Sequence, residues 1–559
     1  MLPCVIFEDE HLLVVNKPPG WNTHAPSPYA GEGIYDWLRH RETGWSKLAI
    51  IHRLDKETSG VIVFSKTALA NRSLTEQFTK REVRKKYLLL TDRPPRKKHL
   101  TIKSSLVRAG ERYVSRPLHA GGDVAETRFQ IRQQKSEASQ PAKRDCYEIE
   151  AEPLTGRTHQ IRVHAAEAGF PILGDRLYGG TAAARVYLHA TELTLKHPET
   201  GETVSFRAPA DFESDPKLAL RAAFVEPELT NAYRLIHGEG DDWPGLYVDK
   251  LGDYLLSQSE TALARQQEAE VLRLKDVTRT RTAYHKILTR HARKAAVVDV
   301  SARLAAGEAA PERFAIRENG LQFELSFSEG YSVGLFLDQR DNRRRLLTGH
   351  VAAEFELPFV PRLRNHVGDR GAVRSPSRAC QSRPTTTAVL NAFAYTCGFS
   401  VCAAKAGANT TSIDLSKKYL EWGKRNFELN GIDPTEHEFI YGDAFDWFRR
   451  LEKKQRVFDL VLLDPPTFSQ SKTSGVFRAE KDYPKLIALA LPLLKREGVL
   501  FASTNAADWP PEDFLKTIEG AIGTSKRKIL KRQYFPQPAD FPITREEPGY
   551  LKTVWLRIE

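Results

Sequence analysis

The last third of the chain alternates apolar strand-like runs with helical segments, and that order admits few folds. AVLNAF at 388–393, TTSIDL at 410–415 and FDLVLL at 458–463 are runs of strand length, apolar or β-branched. Between them lie a helix expected from about 399 to 407 and the amphipathic SKKYLEWGKRNFELNG at 416–431, which Gly431 ends. Consecutive strands joined through helices pair in parallel, with helices covering both faces. The expectation for 388–559 is a mostly parallel, doubly wound α/β sheet that binds ligands at the carboxyl ends of its strands.

The rest of the chain has other textures. Residues 1–212 read as short β-rich runs with a few helices, closing on the alternation TVSFRAP at 203–209. ESDPKLALRAAFVEPEL at 213–229 reads as a linker with one helical turn between Pro216 and Pro227. From 230 to 350, strand-like runs such as LQFELSF at 321–327 surround a basic stretch at 261–296 that is expected to be helical. Residues 351–387 lack periodicity and are rich in Arg, Ser, Pro and Thr, the composition of a disordered insertion.

Composition narrows the function classes. With 41% hydrophobic and 28% charged residues among 559, the chain is neither collagen-like nor wholly disordered. No run approaches the roughly 18 apolar residues of a membrane-spanning helix. Glu8, Asp9 and Glu10 stand where a signal peptide would be apolar, so a cytoplasmic protein is expected. Five cysteines (Cys4, Cys146, Cys380, Cys397 and Cys402) form no C-x-x-C pair, against a disulfide scaffold and against a zinc site; no metal is expected. The net charge is +12, and residues 51–100 hold 13 Lys and Arg against 5 Asp and Glu. A clustered excess of that kind suits a polyanion partner, most simply nucleic acid, although a solvated basic face gives the same count.

One cluster sits in that basic stretch: His52-Arg53-Leu54-Asp55-Lys56-Glu57-Thr58-Ser59-Gly60, ahead of the strand VIVFSK. A carboxylate among His52, Arg53 and Lys56 is expected to stay ionised, as nucleophile or base. A loop aspartate in surface ion pairs is the plainer reading of the same residues. HRLDKETSG nevertheless resembles the signature of the RluA-type pseudouridine synthases, with Asp55 at the catalytic aspartate. Three more stretches agree in order: EDEHLLVVNKPPGWNTH at 8–24, REVRKKYLLL at 81–90 and LTGRTHQIRVHAAEAGFPILGDRLYGG at 154–180. The resemblance covers about 3–212 and implies the α+β pseudouridine synthase fold and a reaction without cofactor. It implies that Asp55 attacks the ribose or the uracil, or abstracts a ribose proton. Arg162 would pair with that carboxylate, and Tyr87 would stack on the base. Arg53 would fill the space the uridine leaves, and Lys80, Arg81, Arg84, Lys85 and Lys86 would contact phosphates. The RNA-binding domain that precedes some relatives is not found before Glu8, so the second half supplies RNA affinity or the target is a simple stem-loop.

A second constellation lies in the C-terminal part. After AVLNAF come the loop Ala394-Tyr395-Thr396-Cys397-Gly398-Phe399 and a strand ending at Asp414, an acidic residue placed to bind a ribose diol. Gly442-Asp443 and Asp464-Pro465-Pro466-Thr467-Phe468 follow. An ordinary α/β core would carry much of this. The set FLDQRDNRRRL at 336–346, LNAFAYTCGFS, SIDLS, GDAFDWF and DPPTFSQSK resembles the class I S-adenosylmethionine-dependent methyltransferases of large-subunit ribosomal RNA, with their Rossmann-like domain. YRLIHGEGDDWPGLYVDKLGDYLL at 233–256 resembles the small β-rich domain that precedes it there. The family's further N-terminal RNA-binding domain has no room in the linker. The resemblance implies that the loop residues Asn391, Phe393, Tyr395, Thr396 and Gly398 cradle the cofactor's methionine part. Asp414 would take its ribose, Asp443 its adenine, and Asp464 would serve both cofactor and catalysis. The Pro465-Pro466 turn would present a carbonyl to a base that stacks on Phe468.

Together these imply a bifunctional enzyme acting on RNA, ribosomal first and transfer RNA second, with no membrane and no obligate protein partner. The competing readings are a scaffold with vestigial sites, and one catalytic half with the other binding RNA. Between methylation at guanine N7 and at cytosine C5, the residues favour N7. Attack through C5 needs a Cys thiolate, and the expected position holds Thr504 or Asn505. Cys397 and Cys402 read as small buried residues.

Overall fold

The computed structural model describes residues 2–135, 145–288, 301–329, 332–358, 386–471 and 475–559. Cys380, residues 289–300, which include the end of the basic stretch, and residues 359–385 of the expected insertion lie outside the described residues. The chain forms two compact units. The first comprises Met1–Pro26, Glu32–Arg39 and Lys47–Glu226; the second comprises Ser27–Gly31, His40–Ser46 and Pro227–Glu559.

The first unit is built on a mixed eleven-stranded sheet. Its strands alternate in burial where one face meets the core, as in Cys146–Pro153, and are buried on both faces at the centre, as in Ser59–Ser65. At the centre Ser59–Ser65 runs parallel to Leu188–Lys196, and its other neighbour Leu12–Lys17 is antiparallel. Gly60 makes that parallel pairing possible: its φ is +118° and a Cβ there would sit 2.2 Å from the Ala190 carbonyl oxygen. Asp55 lies on the loop that enters this strand. Lys17 closes the loop from below: its fully buried ammonium donates to the carbonyls of Pro18 (2.9 Å), Trp21 (2.7 Å) and Lys56 (3.1 Å).

The expected linker is partly a helix. Pro216–Phe224 spans nine residues, and the Asp215 side chain caps it by accepting from the backbone N–H of Lys217 and Leu218. Phe224 is buried edge-on against Trp21 and Trp37 (5.8 and 6.2 Å between rings), so the segment belongs to the first unit. One apolar face, Ala223 and Phe224, outweighs the flanking prolines that suggested a linker.

The second unit opens with a five-stranded sheet over Ala232–His237, Tyr247–Leu251, Tyr254–Ser259, Thr282–Ile287 and Arg303–Ala306. Its helix Arg265–Val277 corrects the long basic helix expected over 261–296: Arg279 takes φ +53°, and TAYHKI continues as a strand parallel to Tyr254–Ser259. Residues 350–358 are likewise not the start of a structureless insertion. His350–Ala352 and Phe355–Glu356 pair as a hairpin that buries Val351, Ala352, Phe355 and Leu357 in the core.

A seven-stranded sheet follows, ordered Glu438–Tyr441, Asn409–Asp414, Ala388–Ala392, Phe458–Leu463, Leu494–Thr504, Lys552–Ile558 and Ile529–Pro536. The first five are parallel, and the last two add an antiparallel edge. The chain starts in the middle at Ala388–Ala392, builds to one edge, then crosses to the other side through Phe458–Leu463. That reversal opens a crevice at the carboxyl ends of these two strands. Among the described residues no helix is long and apolar enough to cross a membrane.

Phe224→Ala tests the linker assignment. If the helix is part of the first unit, the substitution lowers unfolding free energy by about 3–5 kcal/mol. Denaturant titration of the full chain, followed by tryptophan fluorescence, reads this directly.

Candidate functional sites

A cavity of about 560 Å³ in the first unit gathers the first set of predicted residues. Arg53, Asp55, Arg81, Lys85, Tyr87 and Arg162 all line it. Asp55 arrives on the turn before Ser59–Ser65, Lys85 and Tyr87 share one face of Arg84–Thr91, and Arg162 stands in the helix Gln160–Glu167.

Arg162 pairs with Asp55 through one nitrogen only, because a second carboxylate takes the other two. Its Nε and Nη2 donate to the two oxygens of Asp175 at 2.7 and 2.8 Å, a buried bidentate pair. Nη1 remains directed at Asp55, 3.6 Å from Oδ2. The physical reason is desolvation: a buried guanidinium needs a full counter-charge, and the buried Asp175 supplies it while Asp55 stays at the cavity. Asp175 and Tyr178, whose ring lies 5.2 Å from the Arg162 guanidinium, were missed in the sequence. Their signal was the GDRLYGG run, where Gly174 (φ +83°) admits no Cβ, since one would lie 1.7 Å from the Arg185 carbonyl oxygen.

His52 is also corrected. Burial, and after it the charge of Lys85, pull its pKa down to about 3, and Nε2 accepts from the Val63 N–H at 3.2 Å. A neutral ring stacked on Phe78 at 4.7 Å cannot be one of the positive charges around Asp55. Tyr87 has its phenol pushed up by burial and by the charge of Asp55, so it stays protonated. Arg53 reaches Thr158 at 3.4 Å.

The basic cluster at 80–86 divides. Lys85 turns into the cavity, with burial lowering its pKa. Lys86 lies 3.9 Å from Glu192, and Lys80 pairs with Glu76 at 2.6 Å on the surface. Arg81 and Arg84 are exposed. Strand alternation puts 84 and 86 on the opposite face from 85 and 87, which the charge count alone does not show.

In the second unit the loop after Ala388–Ala392 is strained. Phe393, Tyr395 and Cys397 take φ of +61°, +50° and +63°, a conformation costly for non-glycine residues. The Asp414 carboxylate holds it by accepting from the Tyr395 N–H (2.8 Å) and the Ser416 N–H (2.8 Å). Tyr395 donates its hydroxyl to the Ser332 carbonyl, and Thr396 donates to the Gly334 carbonyl. Asn391 is buried and donates to Ser400 at 2.8 Å, while its Oδ1 has no hydrogen-bond partner among the described residues. Gly398 begins the helix Gly398–Lys405. Asp443 caps Ala444–Lys453 through the Phe445 and Asp446 N–H groups. A cavity of about 270 Å³ lies beside it, lined in part by Phe393, Leu415, Phe445 and Phe477. Asp443, Asp446 and Asp482 also line it, and aromatic walls with carboxylate acceptors suit a purine ring bearing an amine.

Asp464 ends Phe458–Leu463. Its carboxyl accepts from the Ser503 hydroxyl and from Gln339 Nε2 (3.3 Å), and burial pushes its pKa up to about 6. Gln339, Ser503 and the nearby Asp338 carry no role in the sequence reading, although FLDQR was singled out. Pro465 is buried, Pro466 exposed, and the Phe468 ring is 41% exposed. Thr467 donates to Asn505 Oδ1 at 2.7 Å, and Thr504 is buried. Burial pushes the Cys397 thiol up to about 12 and Cys402 up as well.

Two family models match the chain. RNA pseudouridylate synthase matches residues 11–167, and S-adenosylmethionine-dependent methyltransferase matches residues 364–554. Ribosomal large subunit pseudouridine synthase C of Yersinia pestis is 38% identical over 37% of this chain and 66% of its own length, so the chain spans just under two thirds of that enzyme. Ribosomal RNA large subunit methyltransferase I of Klebsiella pneumoniae is 30% identical over 60% of this chain and 76% of its own. Ribosomal RNA large subunit methyltransferase of Deinococcus radiodurans is 30% identical over 62% and 78%.

The Asp464 shift makes a prediction about stability. Its folded pKa lies above the ordinary carboxyl value, so the folded state binds the proton more tightly. The stability this gives is present below about pH 4 and is lost as pH rises through about 6. Asp464→Asn removes the titration, so the variant gains on the wild type between pH 4 and pH 7, as denaturant titrations across that range would show.

Proposed function

We propose that this chain, which belongs to the S-adenosylmethionine-dependent methyltransferase family through its second half and carries an RNA pseudouridylate synthase module ahead of it, modifies ribosomal RNA in two ways. The observation that carries the first activity is one cavity holding Asp55, Tyr87 and Arg162 together. Isomerising uridine breaks the bond from C1′ to N1, turns the uracil, and joins C1′ to C5. Asp55 is the group that meets the nucleotide, attacking ribose or uracil or taking a ribose proton. Tyr87, uncharged and partly buried, offers a ring face for the base. Arg162 keeps Nη1 on Asp55 because Asp175 fixes its other two nitrogens. The uridine leaves its stack at a cost of a few kcal/mol. Arg53 is at the cavity wall to take its place, and Arg81, Arg84, Lys80 and Lys86 are the surface charges available to phosphates. Lys85 belongs with the base instead. No residue in this set calls for a cofactor.

In the second half the residues fit S-adenosylmethionine, on the strength of the open Asn391 acceptor and the aromatic cavity beside Asp443. Bound there, the cofactor supplies an electrophilic methyl group. Phe393, Tyr395, Thr396 and Gly398 shape the loop toward its methionine end, Asp414 takes the ribose and Asp443 the adenine. Asp464, Pro465 and Pro466 would hold the target base, with the exposed Phe468 beside them to stack on it.

We read the methylated atom as guanine N7. That nitrogen has a lone pair and needs only orientation. Cytosine C5 needs a thiolate at C6, and Thr504 and Asn505 stand at the corresponding strand end, while burial keeps Cys397 and Cys402 protonated. The names of the relatives support ribosomal RNA as substrate, and with it a cytoplasmic site of action.

Nucleoside mass spectrometry of ribosomal RNA from cells carrying single variants separates the activities. Asp55→Asn abolishes one pseudouridine and leaves methylation intact; Asp464→Ala does the reverse. A pseudouridine that persists in Asp55→Asn would overturn the first assignment. The nucleoside lost with Asp464→Ala is expected to be 7-methylguanosine. Loss of 5-methylcytidine instead would point to an unrecognised nucleophile.

A further inference from the structure

Arg162 is not the only donor facing Asp55. His159 is the cap residue ahead of the helix Gln160–Glu167, three residues before Arg162, and both side chains reach toward Asp55. Its backbone adopts φ +56°, a left-handed conformation uncommon outside glycine and held here beside a cavity. His159 Nε2 lies 3.8 Å from Asp55 Oδ2, and Arg162 Nη1 lies 3.6 Å from the same oxygen. Both approaches are long, as catalytic contacts often are before substrate tightens them.

The ring's tautomer can be read from its neighbours. The Tyr113 backbone N–H donates to the Tyr178 hydroxyl oxygen at 2.9 Å, and that hydroxyl lies 2.8 Å from His159 Nδ1. Among the described residues Nδ1 is the only acceptor within hydrogen-bond reach of the Tyr178 O–H. We assign Tyr178 as the donor to Nδ1, which puts the ring proton on Nε2, toward Asp55. Tyr113 and Tyr178 also pack edge-on against the ring, each at 5.7 Å.

We propose that His159 is a positioning residue for the pseudouridine-forming site, a neutral donor that with Arg162 clamps Oδ2 of Asp55 and leaves Oδ1 to the nucleotide. This rests on the reading of Asp55 given above. The groups that face His159 are Asp55 and Arg53 from the 51–58 loop, Arg162 on its own helix, Asp175 and Tyr178 from the following turn, and Tyr113. Burial lowers its pKa, Asp55 and Asp175 raise it, and Arg162 and Arg53 lower it, with a net fall. Lys17 and Tyr87 also lie within the electrostatic reach of Asp55.

Two variants of the full chain test the clamp. Asn tolerates the left-handed backbone and can keep the Tyr178 contact, but its amide stops short of Asp55; the Gln amide reaches where Nε2 stood. Single-turnover pseudouridine formation is measured on ribosomal RNA from cells lacking the protein, with wild type and Asp55→Asn as references. Methylation of the same RNA reports that each variant is folded. His159→Asn is expected to slow the step by about 10- to 100-fold, the worth of one charge-assisted hydrogen bond, with half-saturating RNA changed by less than about threefold. His159→Gln stays within about fivefold of wild type, since it restores that donor. A wild-type rate in His159→Asn, or equal losses in both variants, overturns the clamp. No pseudouridine from the wild type overturns the reading of Asp55 itself, and the clamp with it.

Discussion

A guanidinium taken out of water must find a counter-charge with matching geometry, and the first site is arranged around that demand. Arg162 and Asp175 are both nearly inaccessible to solvent and bind through two parallel hydrogen bonds. Removing one partner of such a pair costs about 3–5 kcal/mol, because the other charge is stranded. The pair therefore fixes the helix Gln160–Glu167 against the turn at 175–178, and with it the one nitrogen left for Asp55. Lys17 obeys the same rule with dipoles in place of a charge. Three carbonyls surround its ammonium, one of them belonging to Lys56, next in sequence to Asp55. Burial draws its pKa down to about 7 even so.

The second unit repeats the principle in the segment at 336–346. Arg340 grips Asp540 through two bonds of 2.9 and 2.6 Å, and Arg343 grips Glu318 at 2.6 and 2.8 Å. These buried pairs join residues 200 and 25 positions apart and hold Gln339 where it reaches Asp464. Asp464 itself is given hydrogen-bond donors and, among the described residues, no ion-pair contact; Arg343 acts on it only at a distance, so desolvation prevails and its pKa rises. The contrast is chemical: paired arginines supply rigidity, and an unpaired carboxyl supplies a group that titrates near neutrality.

Strain in the loop at 393–397 serves a related end. Three non-glycine residues at positive φ would relax if left alone. The Asp414 carboxylate and the carbonyls of Ser332 and Gly334 hold them in place from two sides. Side chains that the sequence offered as cofactor ligands, Tyr395 and Thr396, are thus occupied in maintaining the loop's shape. What the loop presents to the crevice is chiefly its backbone.

The sequence by itself determined most of the elements and which residues are candidates for the reacting groups. The strand-and-helix order of 388–559, the position of Asp55 before a buried strand and the DPP turn are local patterns, and a period of two or 3.6 residues is legible without partners. It overreached where local signals were ambiguous, extending a helix through TAYHKI and reading PKLALRAAF as linker, because burial of Phe224 depends on Trp21 and Trp37 far away in sequence. The partners of buried charges were decided by tertiary structure alone. Nothing within HRLDKETSG says that His52 is neutral, and nothing near Arg162 says that Asp175 takes its two strongest bonds. Desolvation depends on everything that surrounds a group, and those surroundings come from segments that only the folded chain brings together.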